Sequence, residues 1–125
     1  IGTVGRERFS VGQAHLIDFA HDRMPQILCT PWLIWFLEHA ARNAVLPYLE
    51  PGESTVGVAV TVEHTAATPL GAHVHCRARV IYVDGPLISF QLEAHDEYEK
   101  IAKGTHKMCV IKAARLAKRV QKKAQ

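Results

Sequence analysis

The feature that most constrains this chain is a helical segment with almost no polar face. Pro31 to Leu46 reads as one helix, with Thr30 as a good N-cap, Pro31 suited to the first helical position and Pro47 as the stop. Its first turns, Trp32 to Leu37, are apolar in every direction. A helix of that kind must be covered on nearly every side. The run is too short to span a bilayer, and a chain of 125 residues holds one ordinary domain. A sheet formed by the rest of the chain can curl around the helix.

The residues C-terminal to the helix can supply it. After a turn at 49–53 the apolar period changes from helical to two. Val56, Val58, Val60 and Val62 alternate with Gly57, Ala59, Thr61 and Glu63, which puts His64 on the face of the valines. A loop from Thr65 to Gly71 leads to a second strand over 72–83, where Val74, Cys76, Ala78, Val80 and Tyr82 alternate with His73, His75, Arg77 and Arg79. Asp84-Gly85 is a hairpin signal, and Ile88, Phe90, Leu92 and Ala94 face inward along the next strand. A turn at 97–100 precedes a last strand, Ile101–Ile111. Ahead of the helix, residues 6–19 give only a broken strand pattern. Strand, buried helix, then four antiparallel strands predicts an α+β hotdog fold, a curved antiparallel sheet wrapped around one long helix. Such sheets commonly pair across a two-fold axis, so a homodimer is expected by fold analogy.

Composition narrows the function classes. With 48% apolar and 22% charged residues the chain is globular. Its net charge of +3 is unevenly spread: Lys112, Arg115, Lys118, Arg119, Lys122 and Lys123 are all cationic, while the rest holds nine cations against twelve acids. We read residues 1–125 as a single domain with a basic helical tail at about 112–125, carrying a narrow apolar stripe of Ala113, Leu116, Ala117 and Val120. No aromatic is interleaved with those cations, so nucleic-acid binding is not expected. Cys29, Cys76 and Cys109 are odd in number and widely separated, which suggests neither a disulfide framework nor a zinc knuckle. Ile1–Ser10 has no apolar leader core, and the expectation is a cytoplasmic protein without a membrane partner.

Several residues invite chemistry, each with a plainer reading beside it. His64 continues an apolar stripe, so it is either a core histidine bonded to a carbonyl or a general acid or base at the strand's end. Glu38 is either paired with Arg42 one turn on, making 38, 39, 42 and 43 the helix's wet face, or part of a polar cluster lining a dimer cleft. Thr30 caps the helix, and the same helix terminus can stabilise an anion or a developing oxyanion. His73 and His75 project from one strand face, but no third ligand has matching spacing and Arg77 and Arg79 continue that face. Ser10, Ser54 and Ser89 lack a nucleophile elbow, and no glycine-rich phosphate loop is present. No metal and no cofactor are expected.

Three blocks are more specific. Residues 41–53 (Ala-Arg-Asn-Ala-Val-Leu-Pro-Tyr-Leu-Glu-Pro-Gly-Glu), 63–71 (Glu-His-Thr-Ala-Ala-Thr-Pro-Leu-Gly) and 104–106 (Gly-Thr-His) closely resemble the fluoroacetyl-CoA thioesterase family of hotdog acyl-CoA hydrolases, over about Leu28 to Ile111. The resemblance implies a catalytic set of Thr30, Glu38 and His64, with Gly57 lining the acyl pocket. It also implies substrate-binding roles for Met108, standing where the fluoroacetyl pattern has Arg, and for Met24, which with His21 falls at an aromatic lid. Pro31 stands where Gly is expected. A thioester carbonyl is electrophilic and its thiolate leaves readily, so a carboxylate or carboxylate-activated water can open it. A flexible, uncharged Met suits an aliphatic acyl group better than a polar C–F bond. The implied activity is hydrolysis of short or medium acyl-CoA to acid and CoA, without strong fluoroacetyl selectivity. The alternative is a non-catalytic hotdog that binds acyl-CoA or another small ligand.

Overall fold

Helix α1, Thr30–Val45, is the element around which the other parts are arranged. The structure is a computed structural model that describes residues 1–19 and 22–125. Strands β1 (Val4–Ser10), β2 (Glu53–His64), β3 (His73–Asp84), β4 (Leu87–His95) and β5 (Lys100–Lys112) form one antiparallel sheet in the order β1-β3-β4-β5-β2. A second helix, α2 (Ala113–Ala124), continues from β5. Among the described residues no helix is long and apolar enough to cross a membrane.

The core lies between α1 and the concave sheet face. Leu33, Leu37, Ala40, Ala41 and Ala44 of the helix pack with Val74, Cys76, Ala78, Phe90, Leu92 and Ala94. Burying each of the large side chains contributes about 1.5–3 kcal/mol. The small residues matter as much for geometry. Strand β1 crosses α1 at Gly5, where a Cβ would overlap the Ala40 carbonyl and Ala44, so the backbones approach as closely as two chains can. Phe9 of β1 then stacks on Phe36 of α1, with ring centroids 3.7 Å apart.

The expected order of elements is observed, with four local differences. Helix α1 begins one residue early. Cys29, in extended conformation, is the N-cap and has no side-chain cap bond, so Thr30 is the first helical residue and Pro31 the second. The Cys29 amide is already held by the His15 carbonyl at 2.8 Å, which fixes the chain just before the first turn. Second, the helix is covered on one side rather than all round: Trp35 and Glu38 are exposed, and β2, at the sheet edge, barely meets α1.

Third, the valine stripe of β2 is broken. The register steps from Gly57↔Met108 to Ala59↔Lys107, leaving Val58 as an extra residue. A bulge of that kind reverses which alternate residues face inward. Gly57 therefore shares the inner face with Val60, Val62 and His64, opposite buried Met108 and His106, whereas Val56 does not. A second bulge between Val80 and Tyr82 turns Tyr82 outward and places Val83 opposite Ile88. Finally, the broken pattern at 6–19 resolves into β1 followed by a single turn of 3-10 helix, Gln13–His15. The stripe on α2 is uncovered: Leu116 and Val120 are exposed.

Candidate active site

Two of the expected site residues meet where α1 begins and β2 ends. Thr30 Oγ1 and His64 Nδ1 lie 2.8 Å apart. With Cys29 in the cap position, the Thr30 hydroxyl is free for this bond. A hydroxyl that donates here leaves the lone pair on Nδ1 and the ring proton on Nε2. Nε2 is buried and hydrogen-bonds no protein atom among the described residues. Burial lowers the His64 pKa below its ordinary 6.5, with the Ala66 backbone opposing. The imidazole is thus mainly neutral at pH 7, the form that accepts a proton or offers an N–H.

The pair borders a cavity of about 280 Å³ walled by Ile17, Phe19, Met24, Ile27, Leu28 and Ala66. Loop 65–72 forms one wall and is pinned from behind: the Leu28 amide donates to the Thr68 carbonyl, and the buried Thr68 hydroxyl donates to Asp96 Oδ2 at 3.0 Å. Met24 is exposed at this cavity, whereas His21 lies outside the described residues. Phe19, exposed beside Met24, is an aromatic at the rim that the broken N-terminal pattern concealed. A second hollow of about 290 Å³, between Val45, Tyr48, Val80 and Val83 at the other end of α1, touches none of these groups.

Glu38 belongs to a separate cluster. It lies eight residues beyond Thr30, about 12 Å along a helix axis. The Arg42 pairing is not formed. Arg42 instead donates to Ser54 Oγ and Thr55 Oγ1 at 3.2 and 3.0 Å. Asn43 donates to the Arg6 carbonyl at 2.7 Å, so half of the expected wet face stitches β1 and β2 to the helix. Glu38 makes no ion pair among the described residues. Its carboxylate reaches Gly57, where a Cβ would lie 3.7 Å from Oε2 and 3.5 Å from Cε1 of His106. Met108, 1% exposed, pairs across from Gly57. His106 was singled out in sequence only as the end of the Gly-Thr-His block at 104–106, and that reading gave it no role.

Other nucleophiles and metal sites find little support in the geometry. The Cys76 thiol is pushed up to about 12 by burial and then by Glu7, so it does not ionise near neutrality. His73 Nδ1 and Ser10 Oγ form a hydrogen bond of 2.8 Å. No group of three His, Cys, Asp or Glu side chains gathers to hold a metal among the described residues.

A curled antiparallel sheet carrying one long helix, with polar side chains where helix and edge strand meet, defines a hotdog protein of the thioesterase kind. A hot-dog-like protein from Thermanaerovibrio acidaminovorans shares the fold, with a TM-score of 0.87 at 23% identity over 98% of this chain and 91% of that one. The structure of the fluoroacetyl-CoA thioesterase superposes with a TM-score of 0.91 at 32% identity, over 98% and 96% of the two chains. A thioesterase-superfamily member from Thermus thermophilus gives 0.88 at 25%, over 98% and 93%. In sequence, the fluoroacetyl-CoA thioesterase of Streptantibioticus cattleyicolor is 38% identical over 99 residues, 79% of this chain and 71% of the relative. Residues 11–114 match the family model for the fluoroacetyl-CoA-specific thioesterase, and the chain belongs to that family. It is a thioester hydrolase acting on acyl-CoA.

Proposed function

We propose that this enzyme hydrolyses short or medium acyl-CoA to free acid and CoA at a site built from Thr30, Glu38 and His64. The observation that carries the reading is the Thr30–His64 hydrogen bond of 2.8 Å at the mouth of an apolar cavity. Glu38, as nucleophile or as base for a water, opens the thioester. His64 supplies the proton or hydrogen bond that the departing thiolate needs, and Thr30 sets the tautomer of His64. A cavity of about 280 Å³ lies just below the usual size of small-molecule sites and suits a short acyl chain better than a long one.

The same reading requires a second copy of the chain. Thr30 with His64 and Glu38 with Gly57 are two half-sites in one protomer, separated along both α1 and β2. Strand β2 is an open edge whose Val56, Val58 and Val60 are 37%, 55% and 44% exposed, and α1 leaves Trp35 bare on its uncovered side. Apolar edges of that kind are normally paired or covered. A two-fold axis crossing β2 between Gly57 and His64 covers the edge and sets Glu38 of one copy beside Thr30 and His64 of the other.

The acyl pocket bears on selectivity. Buried Met108 opposite Gly57 offers no charge to a C–F dipole. The test is thioester turnover, followed by free thiol, from acetyl-CoA through medium chains, with fluoroacetyl-CoA alongside. Fluoroacetyl and acetyl kcat/KM are expected within about tenfold of each other, a difference of about 1.4 kcal/mol. A fluoroacetyl preference beyond about a hundredfold would overturn the selectivity. Wild-type rates in Glu38→Ala and His64→Ala would overturn the site.

A further inference from the structure

His106 is the buried polar group that the trio leaves without a task. It is 4% exposed, and its ring runs near-parallel to Phe90 with centroids 6.0 Å apart. Neither ring nitrogen makes a well-formed hydrogen bond among the described residues, and the Ala59 backbone makes at most a weak one. A neutral imidazole always carries one N–H and one lone pair, and leaving both unsatisfied in a core is costly. An apolar side chain of similar size would pack there without that cost. A histidine kept under those conditions therefore calls for a chemical explanation.

Its surroundings supply one. Val60 across on β2 and Phe90 across on β4 are apolar, and Glu38 on α1 is the charged group whose field reaches the ring. Burial lowers the His106 pKa, while Glu38 and the Ala59 backbone pull the other way. The geometric link is Gly57: a methyl there would stand 3.5 Å from the imidazole Cε1 and 3.7 Å from the Glu38 carboxylate. Imidazole and carboxylate thus face the same side-chain-free opening from two directions.

We propose that His106 is a positioning residue for Glu38, holding the carboxylate at the Gly57 opening through one bridging water. This rests on the reading that Glu38 opens the thioester. A neutral imidazole donates one N–H through that water to the carboxylate and restricts its rotation. No bond is made or broken at His106, and it need not touch the acyl group.

The experiment pairs a spectroscopic readout with kinetics. Ring ¹⁵N shifts of His106 are followed through a pH titration in wild type and in Glu38→Gln. The expected result is a lower protonation midpoint for His106 once the Glu38 charge is gone, together with shifted ring nitrogens. Identical titrations in the two proteins overturn the proposal. In parallel, His106→Leu, which fills the site without polar atoms, is expected to fold and to lose about ten- to a hundredfold in kcat. KM should stay within about twofold, and His106→Asn, which keeps one N–H donor, should recover part of the rate. Wild-type kcat in His106→Leu sinks the proposal while Glu38→Gln remains inactive. Wild-type activity in Glu38→Gln, by contrast, sinks the site reading itself.

Discussion

At the scale of single residues, Gly57 offers the sharpest test, because its substitution separates fit from function. The nearest atoms to an added Cβ lie at 3.5 to 3.9 Å, which is ordinary van der Waals contact. Gly57→Ala is therefore expected to keep its thermal midpoint. It should nevertheless lose about tenfold or more in kcat/KM, because the methyl occupies the opening that Glu38 and His106 share. An unaltered rate would remove Gly57 from the acyl pocket. This is also the scale at which the sequence was least transparent. Thr30 looked like a helix cap because Ser and Thr before an apolar run usually are. Its partner is 34 positions away on a strand edge, and no local pattern encodes that separation. Glu38 and Arg42 stand at ideal pairing distance on a helix, yet Ser54 and Thr55 compete for the guanidinium at 3.2 and 3.0 Å.

Elements were easier to foresee than their details. The apolar period identified α1 and the four strands after it, since a helix and a pleated strand impose different repeats on any buried face. It could not register the extra residues Val58 and Ile81, because one bulge inverts the alternation and a run of valines looks unchanged on either side. Strand β1 was expected but poorly bounded for a related reason: polar Arg6, Glu7 and Arg8 sit in its middle, and its hold on the helix comes from a glycine. That contact yields a prediction at this scale. Gly5→Ala would drive a methyl into the Ala40 carbonyl and Ala44, so β1 and α1 must move apart. The expected loss is about 2 kcal/mol or more, read as a lower urea midpoint. Equal stability of Gly5→Ala and wild type would show that the crossing is looser than the contact implies. Gly57→Ala, where the added atom has room, is the matched control.

For the whole molecule, stability and activity lead to two measurements. Burial lowers the pKa of both His64 and His106 from 6.5. As pH falls through that value the unfolded chain takes up protons that the folded chain refuses, so the stability conferred by neutral imidazoles is present above it and lost below it. The unfolding free energy, and with it the thermal midpoint, is expected to drop as pH falls below about 6.5, with a limiting slope of about 1.4 kcal/mol per pH unit per histidine. The drop should be shallower in His106→Leu, and a midpoint independent of pH would contradict the burial of both rings. The second measurement tests the proposed division of the site between two copies. Thr30 and His64 are hydrogen-bonded to one another, whereas Glu38 sits two helical turns away beside Gly57 of the edge strand β2. A site contained in one protomer would need that gap closed by a movement of α1, which is locked against β1 by Gly5 and by the Phe9–Phe36 stack. In the proposed dimer, pairing β2 edges would close it without moving either element. Glu38→Gln and His64→Ala, each inactive alone, should therefore complement when their subunits are exchanged. Random exchange makes about half of the dimers mixed, each with one intact site of two, so about a quarter of wild-type activity should return. No recovery from a mixture shown to contain mixed dimers would place all three residues of each working site on the same chain.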